Sequence, residues 1–495
     1  MLNLCSTFAT LSFKKYMKKV KNSILVLMLF WSIANQAQAK KWTIEECVNY
    51  ALEHNISIKQ SDLDIKLSEI EKNSAFGNFL PSVNANASHS WNIGLNTNIL
   101  TNTLENQTTQ FTSMGLNAGV DIYKGLQNQN QFRKSKLSII AAQYQLSKMK
   151  DDVSLNVANA FLQILFNKEN LKVQQEQLAN NEKQYKRTEE LVNAGSIPRG
   201  DLLDSKATVA GDRQRIIAAE NTLLISKLSL AQLLQLDTFQ DFDIDEGKYE
   251  ANQSEVMFQT PEAIYQKAKQ ERVELKIAQT NVQIAEKNIT IAKGAFQPTL
   301  QGFYGFSTRA GYSDRITGFV PNNSNPTSVI GQVEGTNQNV VQPNFSPVFG
   351  KSAPFFNQFS DNKGHSFGVQ LSVPIFNGFS VKNNVERSKV ALERSKIALS
   401  QSELDLERTV YTAFTDAKGA FNAYQSAVTA LEARENAYNY AKERYAVGMM
   451  NAFDFNQSQT LYVNAQSEAL RTKYDYIFRT KIVEFYFGIP IIKKQ

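Results

Sequence analysis

The sequence predicts an α+β membrane protein built from one strand-and-helix unit used twice. Three observations predict it: the chain aligns with itself at two fixed offsets, apolar residues alternate beside those alignments, and two 70-residue intervals run from glycine to glycine without a proline.

At an offset of 217, Thr43 meets Thr260, Ala51 meets Ala268, Gly77 meets Gly294, Phe79 meets Phe296 and Pro81 meets Pro298. At an offset of 253, Tyr123-Lys124-Gly125 meets Phe376-Asn377-Gly378, Val157 meets Val410, Phe161 meets Phe414, Gly195 meets Gly448 and Asp201 meets Asp454. The offsets differ by 253 minus 217, or 36 residues, which the second copy gained between its two strand segments. Its Asn-, Gly-, Ser- and Pro-rich stretch 311–364 is expected to be that surface loop.

Each copy carries four elements in the same order. Repeat 1 occupies 40–237 and repeat 2 occupies 260–495, with 238–259 as a linker at the equator. The first element is an amphipathic helix, roughly Thr43–Ala75 and Pro261–Lys293, opened by a threonine able to cap it and closed where Gly and Pro arrive. A strand pair follows, about 81–123 in the first copy and about 298–308 with 365–376 in the second. There Met114, Leu116, Ala118, Val120 and Ile122 alternate with polar residues or glycine, and Phe367, Val369, Leu371, Val373 and Ile375 repeat the pattern, with Pro374 before the last of them. Period-two alternation over about ten residues describes a strand wet on one face and apolar on the other.

The third element is a long helix, 126–194 and 379–447, in which Leu406, Val410, Ala413, Ala417, Phe421, Tyr424, Val428 and Leu431 recur at three- and four-residue steps. At 1.5 Å per residue such a helix is about 100 Å long, more than a compact core uses. The fourth is a return helix of half that length, 201–236 and 454–487.

Four strands leave two open edges and are too few to enclose a lumen. Several chains must therefore share a barrel, and three would supply 12 strands, within the roughly 8–26 of outer-membrane barrels. The predicted fold is a trimeric 12-stranded β-barrel continuing into a long α-helical periplasmic tunnel.

The first 39 residues read as an export leader. Lys18, Lys19 and Lys21 follow Met17, Ile24–Ile33 is a short apolar core, and Ala37-Gln38-Ala39 is a small-x-small cleavage site. Read this way, the leader starts at Met17. Five of the 53 basic residues precede residue 40, leaving 48 against 47 acidic ones. A near-neutral mature chain has no electrostatic reason to bind nucleic acid. Cys47 is then the lone cysteine, so no internal disulfide, no thiolate metal site and no lipid attachment next to the cleavage site is expected. His54, His89 and His365 are the only histidines, and no HExxH, phosphate-cradling glycine loop or Gly-x-Ser-x-Gly elbow occurs. Neither an enzyme nor a cofactor is expected.

Trp42-Thr43-Ile44-Glu45-Glu46-Cys47, the strand entries Phe79-Leu80-Pro81 and Phe296-Gln297-Pro298, the exit Pro374-Ile375-Phe376-Asn377-Gly378 and the two helical tips are together similar to the TolC family of outer-membrane efflux proteins. The resemblance runs over residues 42–490 and rests on order and doubled spacing rather than on one motif. It implies a homotrimer in outer-membrane lipid, working with a periplasmic adaptor and an inner-membrane transporter of RND, ABC or MFS type. It also implies that the tips dock the adaptor through Gly195, Ser196, Ile197 and Leu202 and through Gly448, Met449 and Phe455, and that they narrow the channel.

By the same resemblance, Asp201 and Tyr445 match a closing hydrogen-bonded pair, and Asp454 matches a constriction ring of carboxylates. Met450 stands where a second link uses arginine, and Gln457 where a further acidic ring is expected. From helical-hairpin chemistry alone, Gly195 and Gly448 end one helix and Asp201 and Asp454 cap the next. Two readings of the assembly remain: a passive conduit, or a barrel-anchored coiled-coil trimer with a structural or adhesive role.

Overall fold

A computed structural model describes residues 41–97, 103–237, 239–240, 242–247, 249–251 and 254–490. The leader, its Met17 start and its cleavage site lie outside these residues. The described residues divide into two compact units, one helical (within 41–65, 141–279 and 397–490) and one containing the sheet (within 66–140 and 280–396).

Thr43 opens α1 (Ile44–His54) with a reciprocal cap: its hydroxyl accepts from the Glu46 N–H at 3.2 Å while Glu46 accepts from the Thr43 N–H at 3.1 Å. Thr260 caps α5 (Pro261–Glu271) by accepting from the Ala263 N–H at 3.2 Å. The single first helix expected in each copy is corrected to two. One extended residue stops it, Asn55 with ψ 131° before α2 (Ile56–Gly77) and Arg272 with ψ 130° before α6 (Val273–Gly294). Those positions are 217 apart, so the break is part of the duplicated unit. Neither is Gly or Pro, which is why composition hides it.

In the sheet unit, β2 (Ser82–Thr97), β3 (Leu104–Lys124), β5 (Thr299–Gly311) and β10 (Gly364–Ser372) form an antiparallel sheet in the order β10-β5-β3-β2. Register sorts its faces. Val83–Ala118–Tyr304–Phe367 and Ala85–Leu116–Phe306–His365 are rows across one face, and Asn84–Asn117–Gly305–Ser366 is a row across the other. Phe367, Val369 and Leu371 are 81%, 67% and 64% exposed, so the apolar face is uncovered within one chain. Strand β10 stops at Ser372, short of the expected 376; Pro374, two residues on, has no N–H to donate.

The loop expected over 311–364 is also corrected. It folds into two ribbons, β6 (Arg315–Pro321) with β9 (Phe345–Gly350) and β7 (Thr327–Gln332) with β8 (Asn339–Pro343), followed by the short helix α7 (Phe355–Asp361). Left-handed Gly335 and Asn337 turn the inner ribbon, and local pairing satisfies backbone that a bare loop leaves to water. α7 covers the β5 edge before β10 begins, where Gln358 exchanges both backbone bonds with Gly311 at 2.9 Å.

The long helices are α3 (Gln127–Asn193) and α8 (Ser380–Ala446), 67 residues each and 253 apart at both ends. Each is entered through two successive left-handed residues, Gly125-Leu126 at φ 55° and 59° and Gly378-Phe379 at 59° and 64°. Return helices α4 (Arg199–Leu234) and α9 (Ala452–Tyr486) complete the copies.

The helical unit has two cores. The first joins Cys47, Val48, Val157, Phe161, Ile164, Leu165, Leu230 and Leu234 beside the parallel strands β1 (Lys41–Trp42) and β4 (Asp243–Ile244). Cys47 is buried and forms no disulfide among the described residues. The second joins Ile264, Tyr265, Leu275, Leu406, Val410 and Val483. Each fully buried Leu, Ile or Phe contributes about 1.5–3 kcal/mol. At the rim of the first, Lys168 pairs with Asp243 at 2.7 Å and Glu246 at 3.1 Å, Lys227 adds a bond to Asp243 and Lys172 one to Glu246. Burial pushes the Asp243 carboxyl up, but its lysine hydrogen bonds outweigh that and leave it low; Lys172 holds Glu246 low.

Candidate gate and docking tips

The two tips lie in the helical unit and share one backbone device. At the end of α3 the Gly195 N–H donates to the Val192 carbonyl and the Ser196 N–H to the Leu191 carbonyl, both at 2.9 Å. At the end of α8 the Gly448 N–H donates to Tyr445 at 3.2 Å and the Met449 N–H to Arg444 at 2.8 Å. These crossed bonds require a left-handed residue after the last helical turn, and φ is 72° at Gly195 and 77° at Gly448.

The expected caps are corrected. Asp201 and Asp454 occupy the third position of their helices, and the capping residues are Pro198 and Asn451. Asn451 accepts from the Asp454 N–H at 2.8 Å and donates to the Asp454 carboxylate at 2.9 Å, so that carboxylate is held by its own helix. Pro198 has φ preset at −65° and makes no side-chain cap.

Asp201 and Tyr445 are not joined: among the described residues no hydrogen bond links them, and the Tyr445 ring lies parallel to Phe455 with centroids 4.7 Å apart. Phe455, assigned to the docking surface, is instead 5% exposed and packed between helices. Tyr438 continues the stack, 5.9 Å from Phe455 and 5.2 Å from Tyr462, and Gln466 donates to the Tyr462 hydroxyl at 2.8 Å. Burial raises both the Tyr438 and Tyr462 phenols, so they stay neutral donors at physiological pH. This ladder was missed in the sequence although it leaves a trace: 438 to 445 and 455 to 462 are both steps of seven, two turns on facing helices.

Copy one is built differently. Positions 445, 455 and 462 correspond to Val192, Leu202 and Val209, so only Tyr185 remains aromatic. Its clasp is polar: Asn181 donates to the buried Asp212 carboxylate at 2.5 Å, and Arg215 pairs with Asp212 at 3.1 Å. Arg187 joins the hairpins by donating to the Ala446 carbonyl at 3.2 Å.

Exposure divides the remaining residues. Met449 is 69% exposed and Phe453 77%, Gly195, Ser196, Gly448, Asp454 and Gln457 are exposed, and Ile197, Asp201, Leu202 and Met450 are half-buried. The apex therefore offers Met449 and Phe453 on copy two where copy one has Ser196 and Gly200, while copy one exposes Leu203 where copy two has Asn456. Among the described residues no cluster of His, Cys, Asp and Glu could hold a metal, and no helix is long and apolar enough to cross a membrane.

A family model for outer membrane efflux proteins matches residues 47–235 and 264–479, falling on the two copies. The chain belongs to that family. Membership makes it an outer-membrane efflux channel, not an enzyme. Among curated relatives, the outer membrane protein TolC of Vibrio cholerae is 22% identical over 345 residues, covering 68% of this chain and 67% of the relative. Solved channels share the fold at low identity. The VceC outer membrane protein of Vibrio cholerae superposes with a TM-score of 0.69 at 14% identity, covering 90% of this chain and 96% of its own. The CmeC outer membrane channel of Campylobacter jejuni does so at 0.66 and 18%, covering 90% and 85%. The open state of the Neisseria gonorrhoeae MtrE outer membrane channel does so at 0.66 and 15%, covering 91% of each chain.

Proposed function

We propose that three copies of this chain close a 12-stranded barrel and act as the passive exit duct of a tripartite efflux or secretion system. The sheet carries this reading: two open edges, an apolar face suited to lipid, and a face mainly of Asn, Ser, Gln and Gly, interrupted by Phe111 and Phe303, suited to a water-filled bore. A single chain cannot satisfy both edges in a membrane, and a third of a barrel can.

In this reading a periplasmic adaptor docks at the tips through the exposed Met449 and the surfaces around Gly195, Ser196, Ile197, Leu202 and Gly448, and an inner-membrane transporter of RND, ABC or MFS type supplies the energy. Narrowing at the tip rests on the Tyr445–Phe455 stack, with Met450 half-buried in the turn and Asp454 and Gln457 facing water.

Purified protein in planar bilayers tests the conduit: discrete ion conductance is expected, larger for Tyr445→Ala. A silent bilayer for both proteins overturns it and leaves the adhesive trimer. Docking is tested separately by Met449→Glu, expected to abolish export with membrane insertion intact.

A further inference from the structure

The duplicated unit contains one of its own interfaces, and that interface carries a rule for the next. Within the chain, the second strand of copy one (β3) pairs with the first strand of copy two (β5). Paired residue numbers there sum to 422 from Phe111–Gly311 to Asp121–Gln301, then to 423 beyond an irregularity, at Tyr123–Leu300 and Lys124–Thr299. Below this pairing Gly125 meets Gly294 so closely that a Cβ on either glycine would collide with the other's carbonyl oxygen.

The duplicates of these elements do not pair with each other among the described residues. The counterpart of β3 is β10, whose outer edge is open, and the counterpart of β5 is β2, whose outer edge is open too. The counterparts of Gly125 and Gly294 are Gly378 and Gly77, and a Cβ on either meets nothing within 4 Å. Yet Gly378 keeps the left-handed φ of Gly125, 59° against 55°. The backbone is set for an approach that one chain does not complete.

We infer that β10 pairs with β2 of a second copy of this chain in the register of the internal β3–β5 pair, closing Gly378 against Gly77 of that copy. This rests on the trimeric reading and adds its atomic register. The β3-type partner gains 253 and the β5-type partner loses 217, so paired numbers sum to 422 plus 36, or 458. Val369 then faces His89 of the next copy, Phe367 faces Trp91, Leu371 faces Ala87, and Gly364, where β10 begins, faces Gly94.

Three features never used to derive the register agree with it. The sum is even, so the apolar odd-numbered residues of β10 meet the apolar odd-numbered residues of β2, and the two-faced character continues around the barrel. The internal irregularity falls at Ile122, between the paired Asp121 and Tyr123; adding 253 puts its counterpart at Ile375, directly after Pro374 and beyond the end of β10 at Ser372, where a residue without an N–H is tolerated. Gly94 has φ 137°, a kink at the point where β10 begins and pairing would start.

Paired cysteines in the full chain test it. Residues 89 and 369 stand on opposite outer strands, so a disulfide in Val369→Cys with His89→Cys joins different copies. Directly opposed Cβ atoms lie about 4.5–5.5 Å apart, whereas the diagonal spacing in Val369→Cys with Ala87→Cys is about 7–8 Å. Mild oxidation of membranes is expected to give a three-copy ladder on non-reducing gels for the first pair, at least fivefold stronger than for the second. Stronger cross-linking of the shifted pair, or none in protein whose detergent mass is that of three copies, overturns the register while sparing the trimer. A one-copy mass overturns the trimer itself. Independently, the Cβ of Gly77→Ala meets nothing within 4 Å in one chain, so this change is expected to lower only the temperature at which the assembly dissociates; an unchanged temperature overturns the glycine contact.

Discussion

The two copies agree in backbone and disagree in side chains. Helix starts and stops, the break at 55 or 272, the doubled left-handed entry and the tip glycine recur at fixed offsets. On and beside these elements the contacts differ. Copy one joins its hairpin with the Asn181–Asp212–Arg215 clasp, and copy two with the Tyr438–Phe455–Tyr445 ladder. At the break, copy one has Asn55, which accepts from the Ser57 N–H and donates to the Leu233 carbonyl. Copy two has Arg272, which pairs with Glu274 at 2.8 Å and Asp151 at 3.5 Å under the Phe485 ring. What the chain repeats is the set of caps and turns that dictates geometry; what it varies is how that geometry is held.

The largest expected difference lies at the break. Arg272 is buried under Phe485 while Glu274 and Asp151 keep 31% and 36% of their side chains exposed, so Arg272→Ala removes two ion pairs and a cation–π contact at the lower end of the cost of breaking a buried pair, about 3 kcal/mol. Asn55→Ala loses two hydrogen bonds of a buried amide, roughly 1–3 kcal/mol. Denaturant unfolding in detergent should rank them in that order, and equal losses would mean the two breaks are held alike.

The tips come next. Phe455→Ala removes a buried ring from the ladder, about 3 kcal/mol, whereas Leu202→Ala removes a half-buried side chain, about 1 kcal/mol. Single-channel recording offers the sharper readout, since the first should raise conductance and the second leave it near the parent value.

Acid response separates two charged sites. Asp243 and Glu246 are both held below their ordinary values, so the stability they contribute is present above about pH 4.5 and is lost as pH falls through their folded values. At Arg272 the carboxylates oppose each other. Burial pushes Glu274 up but the arginine outweighs it and leaves that group low, while burial leaves Asp151 raised, a contribution lost as pH rises instead. Lys168→Met should therefore flatten the acid limb of unfolding more than Arg272→Met does.

The repeated frame was legible and the varied contacts were not, for a physical reason. Thr43, Thr260, Gly195 and Gly448 act within one turn of chain, so local spacing exposes them. The break at Asn55 and Arg272 depends on residues far along the chain, Leu233 for one and Asp151 and Phe485 for the other. Asp201 and Asp454 looked like caps because carboxylates suit a first helical turn, but the preceding proline and asparagine already hold the cap position. In the stretch 311–364 the turn residues were visible, and the few apolar positions between them were too short a signal for two ribbons.

The smallest expected difference between the copies is none at all, at the tip glycines. Gly195 and Gly448 have φ within 5° of each other, neither has an atom within 4 Å of an added Cβ, and both close the same crossed hydrogen bonds. Gly195→Ala and Gly448→Ala therefore meet backbone strain alone, about 1–2 kcal/mol for a left-handed residue with a Cβ. Equal losses of unfolding free energy would show that the frame is energetically as well as geometrically duplicated. If Gly448→Ala costs more, the ladder beside it must resist the adjustment that relieves the strain, and the side chains would then govern the turn they stand on.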